Sequence, residues 1–120
     1  MITSVHAILY AKDAEAARKF FRKALGLRSV DAGGGWLIFA LPPAEIGIHP
    51  AGPGDSGKHQ LFMMCDDLKK TMSALKKKGV KFTGPVRELE WGSLTTLEVP
   101  GGGSLGLYQP KHPTAYRLKR

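Results

Sequence analysis

The stretch VHAILYAKDAEAARKFFRKALG, residues 5–26, is echoed by HQLFMMCDDLKKTMSALKKKG, residues 59–79. In each, an apolar run leads to an aspartate, then to a helical stripe, then to a glycine. Asp13 and Asp67 stand 54 residues apart, as do His6 and Gln60, and Gly26 and Gly79 stand 53 apart. Aspartate suits a helix start because its carboxylate accepts from the unpaired first-turn N–H groups. Ala17, Phe20, Phe21 and Ala24 recur at helical spacing and form one apolar stripe. Leu68, Thr71, Met72 and Leu75 form the second. The recurrence is an internal repeat, and it decides the fold.

Working outward from the first copy, short strands are predicted at 27–31 and 36–41, divided by Gly33-Gly34-Gly35, and a fourth at 45–49 after Pro42-Pro43. Residues 50–58, PAGPGDSGK, read as a linker. The second copy opens with a strand at 59–65 and continues with strands near 80–82, 93–99 and 104–109. Each half thus reads strand, helix, then three strands. The expectation is an α+β fold of two βαβββ repeats, 5–50 and 59–110, in one domain spanning 1–110, with a basic tail at 111–120.

Composition sets bounds on function. A chain of 120 residues that is 42% hydrophobic can build one ordinary core. No apolar run reaches the roughly 18–20 residues of a membrane span, and the N-terminal residues lack a signal peptide's pattern. The single cysteine, Cys65, excludes an internal disulfide and a cysteine-rich zinc site, so a reducing cytoplasm is expected. The net charge of +8 is uneven, four of the eight charges lying in residues 111–120. Lys76-Lys77-Lys78 closes a predicted helix, where cations suit the macrodipole. An anionic partner is the alternative to a solvated basic face, but no aromatic-interleaved stripe or known motif points to nucleic acid.

The first strand with His6 ahead of Lys12-Asp13, the helix Ala17-Arg18-Lys19-Phe20-Phe21 closing on Leu25-Gly26-Leu27, and the second copy opening at Gln60 and Asp66-Asp67-Leu68 resemble the vicinal oxygen chelate superfamily. Its members include glyoxalase I, extradiol dioxygenases and bleomycin-resistance proteins. The ending Val99-Pro100-Gly101-Gly102-Gly103-Ser104-Leu105-Gly106-Leu107 resembles the family's closing turn and strand. The resemblance covers about residues 5–110. It implies a half-barrel pocket for a small organic molecule and a homodimer, and it leaves the chemistry open because the fold hosts several.

In that fold, strand alternation sorts the side chains. Ile46, Ile48, Leu105 and Leu107 are expected beneath the helices, with Val5, Ala7 and Leu9. Glu45, Gly47, His49, Gly106 and Tyr108 then face the pocket, with His6, Tyr10, Gln60 and Phe62. Trp91 closes one end of it or packs in the core. Metal-using relatives place four ligands at positions that are His6, Gly47, Gln60 and Gly106 here, and the two glycines have no side chain to coordinate. Glu45 and His49 flank Gly47 about 13 Å apart at roughly 3.3 Å per residue, so both cannot bind one ion. The expected ligand set is therefore either none or His6, Gln60 and Glu45 around one divalent metal. Glu45 and His49 are the candidate catalytic residues. His6, Tyr10, Gln60, Phe62, Trp91 and Tyr108 are the candidate ligand contacts. His59 is expected to be structural or exposed, His112 to lie in solvent, Asp66 and Asp67 to act as caps, and Cys65 to be an inert apolar filler. The expected function is small-molecule binding over a degenerate metal site; the alternative is a metal-dependent lyase or dioxygenase acting on vicinal oxygens.

Overall fold

Each helix begins where its aspartate allows. In the structure, a computed structural model that describes residues 6–48 and 50–118, the Asp13 carboxylate accepts from the Ala16 N–H at 3.0 Å and opens α1, Ala14–Lys23. The Asp67 carboxylate accepts from the Lys70 N–H at 3.0 Å and opens α2, Leu68–Lys77. Both helices are ten residues long. Each ends before a glycine with positive φ, Gly26 at 68° and Gly79 at 85°, a conformation that Cβ-bearing residues resist. Capping, length and termination therefore recur in the two halves.

Between the helices lie β1, Ser29–Asp31, and β2, Leu37–Phe39, paired antiparallel, and then β3, Phe62–Met64. After α2 come β4, Arg87–Leu89, β5, Gly92–Val99, and β6, Gly103–Pro110. The last four strands form one sheet in the order β3-β6-β5-β4, with β3 parallel to β6 and the other pairs antiparallel. The molecule is thus mixed α+β with two helices and two sheets among the described residues.

Period-two alternation gives the larger sheet two different faces. Leu97 and Val99 of β5 and Leu105 and Leu107 of β6 are buried with Ala17, Phe20, Leu68 and Val80. Met63, Cys65, Met72 and Leu75 pack around them. Leu97 and Val99 are each only 1% exposed, so truncating Leu97 to alanine would cost about 2–5 kcal/mol. Thr95 shares this face, and its hydroxyl is buried without a hydrogen-bond partner among the described residues. The turn at 100–103 docks on the start of α1, where Asp13 N–H donates to the Gly101 carbonyl at 2.8 Å. A Cβ on Gly101, whose φ is +74°, would meet Asp13 at 2.6 Å, so that approach requires glycine.

The first half departs from the expected strand count. Residues 6–11 and 45–48 lie in no ladder, and Ile46 and Ile48, expected under a helix, are each 86% exposed. Leu9 is also exposed. Alternation in a sequence tells which side of a segment is apolar, not what covers that side. Near 80–82 the expected strand is reduced to one bridge, Phe82 to Leu97. An additional strand, β4, forms where Glu88 pairs opposite Ser93 and accepts its hydroxyl hydrogen bond.

Candidate functional site

The sheet face turned away from the helices carries an aromatic floor. The register sets Phe62 opposite Gly106 and Met64 opposite Tyr108, with Leu94 opposite Tyr108 on the other side. Phe62 and Tyr108 meet edge to face with centroids 5.7 Å apart, and Trp91 and Tyr108 likewise at 5.2 Å. Phe62 and Trp91 close the triangle at 6.2 Å. Such edge-to-face geometry places the positive ring edge on the negative π face. Gly106 makes room for it: a Cβ there would collide with the Phe62 ring.

Polar groups gather at one side of this floor. Tyr108 Oη lies 3.4 Å from His112 Nε2, and the two rings are 6.1 Å apart. His112 Nδ1 is 2.7 Å from the Pro113 carbonyl, which only accepts, so Nδ1 carries the proton. With Nδ1 so engaged, Nε2 is the ring nitrogen turned to the tyrosine hydroxyl. Glu45 comes from the first half, its Oε2 3.9 Å from His112 Nε2 and its Oε1 accepting from the Ala115 N–H at 2.8 Å. Burial, and secondarily the Glu45 charge, raise the Tyr108 pKa above 10.0, so the phenol stays a hydrogen-bond donor at neutral pH. Beside the floor, Cys65 Sγ lies 3.6 Å from the Tyr108 carbonyl, and burial pushes the thiol's pKa up. That makes it a poor nucleophile.

Of the residues singled out in the sequence, the fold brings together Phe62, Trp91, Tyr108 and Glu45. His6, Tyr10 and Gln60 are exposed, and Tyr10 belongs to an open depression against Lys12 and the 101–103 turn instead of the aromatic floor. His49 lies outside the described residues. His59 is exposed, as expected. His112 is the correction. Expected in solvent, it is half-buried and touches both Tyr108 and Glu45. Its signal was in the register, since two further steps of alternation past Tyr108 and Pro110 put residue 112 on the face of Tyr108.

The positions at which metal-using relatives hold an ion do not suit one here. Gly47 and Gly106 offer no donor, and the Phe62 ring occupies the space a side chain at 106 would need. No group of three or more His, Cys, Asp or Glu side chains among the described residues is arranged to hold a metal. No described helix is long and apolar enough to cross a membrane.

The protein is thus a small mixed α+β chain with helices packed on one face of its larger sheet and an aromatic, partly polar floor on the other. The profile of the Glyoxalase/Bleomycin resistance protein/Dioxygenase superfamily matches residues 3–105, and the chain belongs to that superfamily. Among solved structures it resembles TnmS3, an antibiotic binding protein from Streptomyces sp. CB03234. The two share 26% identity at a TM-score of 0.64 over 92% of this chain and 98% of that one. A glyoxalase/bleomycin resistance protein from the same organism is 25% identical at a TM-score of 0.56, over 84% and 95% of the two chains. The lactoylglutathione lyase of Agrobacterium tumefaciens, 18% identical at a TM-score of 0.55 over 89% and 92%, shares the fold. No curated protein sequence matches the chain significantly.

Proposed function

We propose that the protein binds a small organic molecule on the floor formed by Phe62, Trp91 and Tyr108, and that it does so without a metal. The observation that carries this is the Phe62 ring seated over Gly106. Where metal-using relatives place a ligand, this chain places an aromatic surface. Aromatic floors with a few convergent polar groups suit flat, largely apolar ligands. Tyr108 Oη and the Glu45–His112 pair supply the donor and acceptors that orient such a ligand. The similarity to an antibiotic binding protein supports the same reading.

The reading includes a homodimer in the cytoplasm. The exposed Ile8, Tyr10, Ile46 and Ile48 form unusually apolar segments for a free surface, which a second copy would cover.

The test uses Trp91 as reporter in a Trp36→Phe background, titrated with a panel of aromatic antibiotics. Saturable quenching of Trp91 that weakens by about tenfold in Phe62→Ala supports the reading, a loss of roughly 1.4 kcal/mol. Binding that is indifferent to Phe62, or that requires added divalent metal, overturns it.

A further inference from the structure

We propose that the outward face of α2 is a docking surface for an acidic, amphipathic helical segment of a partner protein. Lys69, Met72, Ser73, Lys76 and Lys77, with Val86 from the segment before β4, line an open groove of about 580 Å³. The five helical positions fall at i, i+3, i+4, i+7 and i+8 and so form one stripe. Lysines hold both ends of it, and the 43%-exposed Val86, with the part of Met72 that the core leaves uncovered, gives it an apolar middle. None of these three lysines makes an ion pair among the described residues. Lys78, by contrast, is turned to the Ala24 carbonyl.

Lys69 is the informative member. Lys76 and Lys77 stand in the last turn, where the helix dipole accounts for them. Lys69 stands in the first turn beside the Asp67 cap, so the groove carries a cation at each end of the helix.

The spacing selects the occupant. Lys69 and Lys76 are seven residues apart, about 10 Å along the axis at 1.5 Å per residue. A single carboxylate or phosphate cannot meet both. A helix with carboxylates seven residues apart can, and leucines between them would rest on Met72 and Val86. Nucleic acid fits less well, because no arginine and no open aromatic ring line the groove. The nearby Phe82 ring lies under Lys76, 5.8 Å from its Nζ.

The probe is a fluorescently labelled amphipathic peptide with glutamates seven residues apart flanking leucines, followed by anisotropy with the full chain at low salt. Expected are saturable binding that weakens with salt, and a loss of about tenfold or more in K69E/K76E/K77E, where like charges face each other. Lys69→Glu alone should weaken binding while raising Tm, since an acid suits the first turn. That opposite movement separates docking from a folding defect. No binding by the native chain, equal binding by the triple variant, equal binding of a peptide with serines for leucines, or tighter binding of a single-stranded oligonucleotide would each overturn the proposal.

Discussion

The backbone N–H of Ala115 donates to Oε1 of Glu45 at 2.8 Å, joining the tail to the first half of the chain across seventy residues. The other carboxylate oxygen faces His112, and His112 faces Tyr108. The segment after β6 is therefore not a frayed end. Lys111 begins it, its N–H donating to the Trp91 carbonyl at 2.9 Å, and the chain then runs past the aromatic floor with Glu45 as its fastening.

Removing that fastening should loosen the tail before it unfolds the domain. Glu45→Ala deletes both contacts, whereas Glu45→Gln keeps an oxygen that can accept from Ala115. Limited trypsin digestion, read by mass spectrometry, should show faster cleavage after Lys111 and Arg117 in Glu45→Ala than in Glu45→Gln. The Tm should fall by no more than several degrees, the shift for about 1 kcal/mol in a domain of this size. Cleavage in Glu45→Ala at the native rate would show that Glu45 holds nothing.

The same carboxylate tunes Tyr108. Burial is the larger cause of the raised phenol pKa and the Glu45 charge the smaller. Glu45→Gln should therefore lower the Tyr108 pKa without returning it to 10.0, as read by ultraviolet titration in a variant whose other tyrosines are phenylalanine. The linkage sign follows from the raised folded value. The stabilisation from keeping Tyr108 protonated is complete below about pH 10 and is lost as pH rises through the folded pKa. A pKa in Glu45→Gln equal to or above the native one would contradict the arrangement.

Much of the second half was legible because its signals are local and reinforce one another. Asp67 before a stripe, Gly79 after it, and leucines at 105 and 107 in strict alternation each name a cap, a stop and a buried face. The first half was not. Ile46 and Ile48 carry the same alternation as Leu105 and Leu107, yet the one pair is exposed and the other buried. What decides between them is a neighbouring strand, and period two contains no statement about neighbours. The site was legible in part for the same reason. Phe62, Trp91 and Tyr108 come together within one sheet, but Glu45 meets His112 through a contact that only the folded chain creates. Charge and lack of motif made 111–120 look like solvent, although register past Tyr108 pointed His112 inward.

Metal content is the direct check on the donor set. Protein purified without chelator should contain no stoichiometric zinc, nickel, manganese or iron by elemental analysis, because two of the four positions are glycine. One equivalent of any of these, lost in His6→Ala, would restore the reading as a metal-dependent enzyme.

Gly106 and Phe62 give the sharpest test of the floor itself. A methyl group at 106 would collide with the Phe62 ring, and the ring packs edge to face with Trp91 and Tyr108. Overpacking of this kind costs about 1–3 kcal/mol. Gly106→Ala should therefore lower Tm by several degrees and should also displace Phe62, blunting the Trp91 fluorescence response to ligand. The φ of Gly106 lies outside the left-handed region, so backbone strain adds nothing to the cost. Phe62→Ala alone should destabilise the domain by removing a half-buried ring, and in that background Gly106→Ala should cost little, because the clash has gone. The two losses should thus be strongly non-additive in a double-mutant cycle, with a coupling of about 1 kcal/mol or more between contacting residues. Additive losses would mean that Phe62 does not occupy the space over Gly106. The aromatic floor would then have to be redrawn with that position open.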